Sequence, residues 1–274
     1  MTGGPRLTRV SVIGRGKVGR SLARAANGAG LRARSYAGRA LDVLAAAEAA
    51  RADLVVVATR DADVRVVAEI LAQARRAPRA VVHTAGALDA SVLSACAARG
   101  ALVGTMHPML SFPRELGADL LRGGALVCTG PAPLRSQARA FARRIGMRYV
   151  GPRSLEPALY HAAAALLANG SAALAYGAAL LLGDAGIEGR DAGRVLGPLL
   201  ASVARNLVEL GPKDALSGPV RRGDALTVAR HLAAIEAARP ELAGVYRALV
   251  ALQLPMAGLD SAAHGAIVQV ARLA

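Results

Sequence analysis

One short stretch limits the fold of this chain more than any other: Val10-Ser11-Val12-Ile13 runs straight into Gly14-Arg15-Gly16-Lys17-Val18-Gly19, and the helix-forming run 20–26 follows. Strand, tight turn and helix are predicted in that order. A G-x-G-x-x-G turn in this setting is the form in which a βαβ unit holds a dinucleotide. Gly14 permits the tight turn, Gly16 lets the backbone approach a pyrophosphate, and Gly19 lets the helix close on the strand. The phosphates are expected on free N–H groups at the helix start, which brings Arg15, Lys17 and Val18 into the same cofactor-binding loop.

The first half of the chain repeats this alternation. β-Branched runs at 7–13, 31–36, 54–58, 80–83, 102–105 and 125–129 are separated by mostly alanine-rich helical runs, a pattern that predicts stacked βαβ units on a parallel sheet. A helix over 134–145 and a last strand over 147–150 lead to Gly151-Pro152. Beyond that break the strand signal ends, and helices are predicted over 155–182, 190–210, 225–238, 241–253 and 261–273. The expected fold is therefore α/β: a Rossmann-type domain over 1–151, followed by an all-α domain over 152–274 for substrate binding and dimerisation.

The second strand indicates which dinucleotide to expect. A free ribose 2′-hydroxyl is usually held by an acid at this strand's end, and a 2′-phosphate by a cation. Here the strand ends Arg34-Ser35-Tyr36-Ala37-Gly38-Arg39, with no acid. Asp42 falls in the expected first turn of a helix, where the helix dipole accounts for it. NADP(H) is thus the expected cofactor, with Ser35 and Arg39 on its phosphate. Three further strand ends should border the crevice: Thr59-Arg60-Asp61, His83-Thr84-Ala85-Gly86 and Thr105-Met106-His107-Pro108. Thr59 and Gly86 are counted with the cofactor-binding residues. Asp61 could equally cap a helix, and His83 could equally be a core histidine.

A net charge of +15 raises the question of nucleic acid. All basic residues except Lys17 and Lys213 are arginines, scattered through an alanine- and glycine-rich chain with few aromatics, which fits compositional bias better than a binding stripe. No nucleic-acid partner is expected. Cys96 and Cys128 lie far apart, outside any metal-ligand or disulfide spacing, so two core residues and no metal are expected. The opening MTGGPRLTRV lacks the apolar core of an export signal, so a cytoplasmic chain is expected. Residues 157–183 carry no Asp, Glu, Lys or Arg and could span a bilayer. Alanine dominates there, with His161, Asn169, Ser171 and three glycines, which favours a buried or subunit-interface helix and a homodimer over a membrane span.

Several segments, spread in order over both halves, resemble a bacterial family that pairs a Rossmann-like domain with a helical domain of unknown function 2520. They are His83-Thr84-Ala85-Gly86-Ala87-Leu88, His107-Pro108-Met109-Leu110-Ser111-Phe112-Pro113, Tyr160-His161-Ala162-Ala163-Ala164, and Leu216-Ser217-Gly218-Pro219-Val220-Arg221-Arg222-Gly223-Asp224 with His231-Leu232. The family is similar to ketopantoate reductases, pyrroline-5-carboxylate reductases and β-hydroxyacid dehydrogenases, and some members are regarded as an alternative ketopantoate reductase. The resemblance implies reduction of a small 2-keto acid by NADPH, or of an imino acid; a non-catalytic NADP-binding regulator is the rival class. β-Hydroxyacid dehydrogenases and ordinary ketopantoate reductases carry a lysine four residues before an asparagine in the first long helix of the second domain. Here Asn169 has Ala165 in that place. Histidine is the natural replacement as proton source, and His161, two helical turns before Asn169 and close to the same face, is the first candidate, with Asn169 as its partner in orienting a substrate. His107, at an expected strand end, is the second. Arg222 could bind a substrate carboxylate, and Asp224 reads first as a helix cap.

Overall fold

The computed structural model describes residues 7–114 and 117–273. Residues 1–6, on which the expected absence of an export signal partly rests, lie outside it. The chain forms two compact units, Met1–Asn169 and Gly170–Ala274.

In the first unit, β1 (Arg9–Ile13), α1 (Lys17–Gly28), β2 (Arg32–Tyr36), α2 (Val43–Ala49), β3 (Leu54–Val57), α3 (Val64–Ala72), β4 (Ala80–His83) and α4 (Ser94–Ala98) follow in order. Then come β5 (Leu102–Met109), α5 (Ala118–Leu121), β6 (Ala125–Thr129), α6 (Ala132–Arg144) and β7 (Arg148–Val150). The seven strands lie in one sheet, ordered β2-β1-β3-β4-β5-β6-β7. The first five are parallel, whereas β6 runs antiparallel to β5, and β7 is parallel to β6. The sheet expected to be parallel therefore reverses once. The reversal lets β5 continue beyond its expected end at Thr105: Met106 to Met109 stay paired with β6, although β4 has stopped at the level of Thr105.

Strand periodicity divides the core between the two faces of the sheet. Val10, Val12, Leu54, Val56 and Val82 pack with Leu22 and Ala26 of α1 and Phe141 of α6. Their neighbours Ile13, Val55, Val57 and Val81 pack with Val67 and Leu71 of α3 and with Cys96. Cys128 belongs to the first cluster, so the cysteines are buried on opposite faces, both free.

The division between units falls inside α7 (Pro157–Asp184), a single continuous helix. The second unit continues with α8 (Arg190–Asp214), kinked at Gly211, then α9 (Ala225–Ala238), α10 (Pro240–Ala257) and α11 (Ser261–Ala271). Val228, Leu232, Val250, Leu254 and Ile267 form its core between α9, α10 and α11. Asp224 caps α9, accepting from the Thr227 N–H at 3.0 Å. The chain resumes helix at Pro240, a residue suited to a first helical turn.

Asp53 ties the start of β3 to that of β1. One of its oxygens, Oδ2, accepts hydrogen bonds from the Thr8 N–H, the Thr8 hydroxyl and the Arg9 N–H, each at 2.9 Å. Partial burial alone would raise the carboxyl's pKa, and the hydrogen bonds from Arg9 and Thr8 outweigh it, holding it below 3.8. This stabilisation is complete above the unfolded-state value and is lost as pH falls through the lower folded one. In urea denaturation at neutral pH, Asp53→Ala is expected to cost about 1 kcal/mol, and this cost should shrink in acid. A cost that is the same at both pH values would contradict the assignment.

Candidate functional site

The C-terminal ends of the parallel strands open onto a crevice of about 620 Å³ in the first unit. At its floor the chain turns from β1 into α1 at very close quarters. Gly14 has φ +122°, and a Cβ there would stand 2.2 Å from the Ala58 carbonyl oxygen. A Cβ on Gly19 would stand 2.0 Å from the Gly14 carbonyl oxygen. Gly16 is different, with nothing within 4 Å of where its Cβ would be. Gly14 and Gly19 are required by packing, while Gly16 keeps open the space next to the start of α1. No side chain caps that helix start, and its first turn holds no acid. Free N–H groups facing open space are what a pyrophosphate requires.

Gly14, Arg15, Gly16, Lys17, Val18, Arg39, Thr59, Gly86, His107 and His161, all anticipated from the sequence, line this crevice. Gly19, Ser35 and Asn169 do not. Gly19 packs beneath the loop, and Ser35 lies within β2, its carbonyl 3.4 Å from Arg15 Nη2. Asn169 is exposed on α7 and does not join His161 at the crevice. Asp42 turns away to cap α2, accepting from the Ala45 N–H at 2.7 Å. Arg39 makes no ion pair among the described residues. Asp61 lines the crevice and caps nothing with its side chain. His83 is fully buried, 2.9 Å from the Asp89 carbonyl through Nε2, and burial lowers its pKa; it is a core histidine.

His107 is not at a strand end. It lies inside β5, opposite Val127 and two residues past the last β4 pair, because the antiparallel pairing with β6 carries β5 on to Met109. The extension lifts His107 over the edge of the parallel strands, where it meets the first turns of α7. Its Nδ1 lies 2.7 Å from the Tyr160 hydroxyl, and the rings meet edge to face. The His161 ring centroid is 6.1 Å away. Burial, reinforced by the neighbouring His161, pushes His107 down to about 4, so it is neutral at physiological pH. Burial raises Tyr160 to about 12. Gly86 allows this gathering: a Cβ there would stand 2.5 Å from His161 Nδ1 and 3.1 Å from His107 Nε2.

Among the residues at the site that motif reading did not assign, Tyr160 bonds His107 without lining the crevice, and Phe112 lines it. Both lie in segments that carry the family resemblance, yet spacing alone gave neither a partner.

The crevice fits an extended dinucleotide. From the end of β2, next to Arg39, to β5, which carries His107, there are four strand spacings, roughly 19 Å. Thr59 Oγ1, buried in the wall, has no hydrogen-bond partner among the described residues. In sequence, residues 125–252 match the family described as Domain of unknown function (DUF2520). The match begins at β6, where the sheet reverses. No curated protein matches the chain.

Among solved structures, the chain is similar to a candidate NADP oxidoreductase from Bacteroides fragilis, with 22% identity and a TM-score of 0.67, covering 91% of this chain and 98% of that one. A Thermotoga maritima protein aligns at 20% identity and TM-score 0.65, over 90% of this chain and 98% of its own. A pyrroline-5-carboxylate reductase from Coxiella burnetii aligns at 16% identity and TM-score 0.60, over 97% and 99%. At these identities the likeness establishes the two-part fold, a Rossmann-type sheet followed by helices.

The glycines give a paired expectation. Gly14→Ala should lower the melting temperature by several degrees, since strain at such a φ costs on the order of 1–3 kcal/mol before the clash with Ala58 is counted. Gly16→Ala should melt near the parent and instead weaken binding of a dinucleotide. Equal melting temperatures for the two variants would contradict this division.

Proposed function

We propose, from the match of residues 125–252 to the DUF2520 family and from the Rossmann-type sheet, that the chain is an NADPH-dependent reductase of a small 2-keto acid, ketopantoate being the first candidate. The observation that supports this most is the content of one crevice: a glycine loop at a helix start, an arginine beyond β2, His107 within β5 and His161 on the first turns of α7. Gly16 and the N–H groups of α1 would hold the pyrophosphate, and Arg39, aided by Arg15 and Lys17, the 2′-phosphate. Bound NADPH supplies a hydride.

The residues then have to manage a developing alkoxide. As the hydride adds to the carbonyl carbon, the C=O π electrons move to oxygen, and that oxygen must take up a proton. Ala165 offers none. His161, exposed and able to exchange with solvent, is the proton source in this reading, and the neutral His107 faces the same space. Imine reduction is the second reading, supported by the similarity to the Coxiella burnetii pyrroline-5-carboxylate reductase. A cytoplasmic location goes with the cofactor and with two free, buried thiols.

We also read α7 and α8 as a homodimer face. Leu159, Leu166, Leu167, Tyr176, Leu199 and Val208 are all exposed in the protomer, far more apolar helix surface than a soluble monomer usually shows. By length and composition α7 could also cross a membrane. His161 on its first turns faces the crevice, which favours a partner subunit over lipid for the remaining surface.

Three results are expected. The protein should bind NADPH more tightly than NADH, and Arg39→Ala should erode the preference; equal binding of both by the parent would overturn the cofactor assignment. His161→Ala should lower turnover of a keto acid on the order of 10²-fold with cofactor affinity nearly unchanged. Unchanged turnover would remove His161 as the proton source. Sedimentation without detergent should give a dimer, and a monomer, or a chain soluble only in detergent, would contradict the interface.

A further inference from the structure

Two histidines face one space beside Gly86, and only one of them is held from behind. His107 Nδ1 is occupied by the Tyr160 hydroxyl at 2.7 Å, while Nε2 lies on the Gly86 side, where the crevice is. In a contact between a phenol and an imidazole, the phenol is the stronger acid and the sp² ring nitrogen the stronger base. The favoured direction is therefore O–H donating to N. A neutral imidazole that accepts at Nδ1 must carry its proton at Nε2. We infer that Tyr160 is a positioning residue that locks His107 as the Nε2–H tautomer, making it a neutral hydrogen-bond donor aimed into the crevice and fitted to a carbonyl oxygen.

The inference rests on the proposed reductase reading for its substrate, and it narrows that substrate. An N–H donor meets the lone pairs of a ketone oxygen and gains strength as negative charge develops there. The same donor has nothing to offer a protonated imine, which carries N–H and no lone pair. A locked Nε2–H at His107 thus favours keto over iminium substrates and leaves proton delivery to His161. The other ionisable groups acting on His107 are His161 on α7, His83 at the end of β4 and Asp61 after β3. Asp61 alone among them favours the cation, and burial and the two histidines outweigh it.

The lock belongs to the fold. β5 presents His107 only because it continues along β6, and α7 presents Tyr160 and His161 from consecutive positions of its first turns. Neighbouring residues on a helix point about 100° apart, so one helical segment can support one histidine from behind and place the other beside it. Gly86, without a side chain, leaves room between them.

Ring-nitrogen NMR on ¹⁵N-histidine-labelled full-length protein tests this without any substrate. In the parent, His107 should show a protonated Nε2 and an unprotonated Nδ1, unchanged from about pH 8 to about pH 6. Tyr160→Phe should turn this into a mixture of tautomers, while His83, buried in the same unit with Nε2 2.9 Å from the Asp89 carbonyl, keeps its signals and reports that this unit is intact. A parent spectrum with Nδ1–H, or with a cationic ring at neutral pH, would overturn the inference. So would a pure Nε2–H tautomer surviving in Tyr160→Phe. Because no turnover is measured, failure here is distinct from failure of the reductase reading. If both stand, Tyr160→Phe should lower kcat for a keto acid about tenfold with little change in the KM for NADPH.

Discussion

No side chain fits where the chain leaves β1. The carbonyl oxygen of Ala58, at the end of β3, and the backbone of Gly14 come so close that one extra carbon would overlap, and Gly19 meets Gly14 in the same way one helical turn later. Three backbone segments thus touch without side chains between them. That contact sets the depth at which α1 lies on the sheet and directs its uncapped N-terminus into the crevice. It also settles the place of the other walls, since β3 and β4 continue in parallel register from β1. The dinucleotide site proposed here is a consequence of this backbone contact more than of any charged group.

Much of this arrangement could be read from residues alone, because its causes are local. Glycines at fixed spacing after a β-branched run, an acid placed to cap a helix, and a second strand ending without an acid each act within a few residues of where they stand. Asp224 is the cap that a short polar side chain ahead of a helical run predicts, whereas Asp42, expected inside the first turn of a helix, stands one place before α2 and caps it. The misplaced features depend on partners distant in sequence. β5 runs to Met109 because β6 returns antiparallel alongside it, and no pattern within 102–109 announces that neighbour. Asn169 looked like a partner for His161 by helical spacing, but eight residues along a helix is about 12 Å, too far to share one site. Tyr160 was visible as part of a recurring segment, and its role needed the strand that meets it.

The positive charge of the chain takes on a more specific meaning in the structure. Arg15, Lys17, Arg39 and Arg60 line one crevice, with Asp61 and Asp63 as the acids beside them among the described residues. Arg60 is held by Asp63 at 3.1 Å, an exposed pair that adds little stability but keeps that guanidinium near the wall. Among the described residues Arg39 has no such restraint. A field of this sign raises the local concentration of anions, and a phosphorylated dinucleotide and a keto acid are both anions. The remaining arginines are spread over both units.

NADPH is proposed to lie in the crevice at the ends of β1 to β5. Hydrogen–deuterium exchange of the full-length protein with and without saturating NADPH tests it most directly. The account predicts slowed exchange at residues 14–19, at 37–39 and at 84–86, with the core of the second unit unchanged. Protection confined to residues 170–274, or no protection at all, would contradict it.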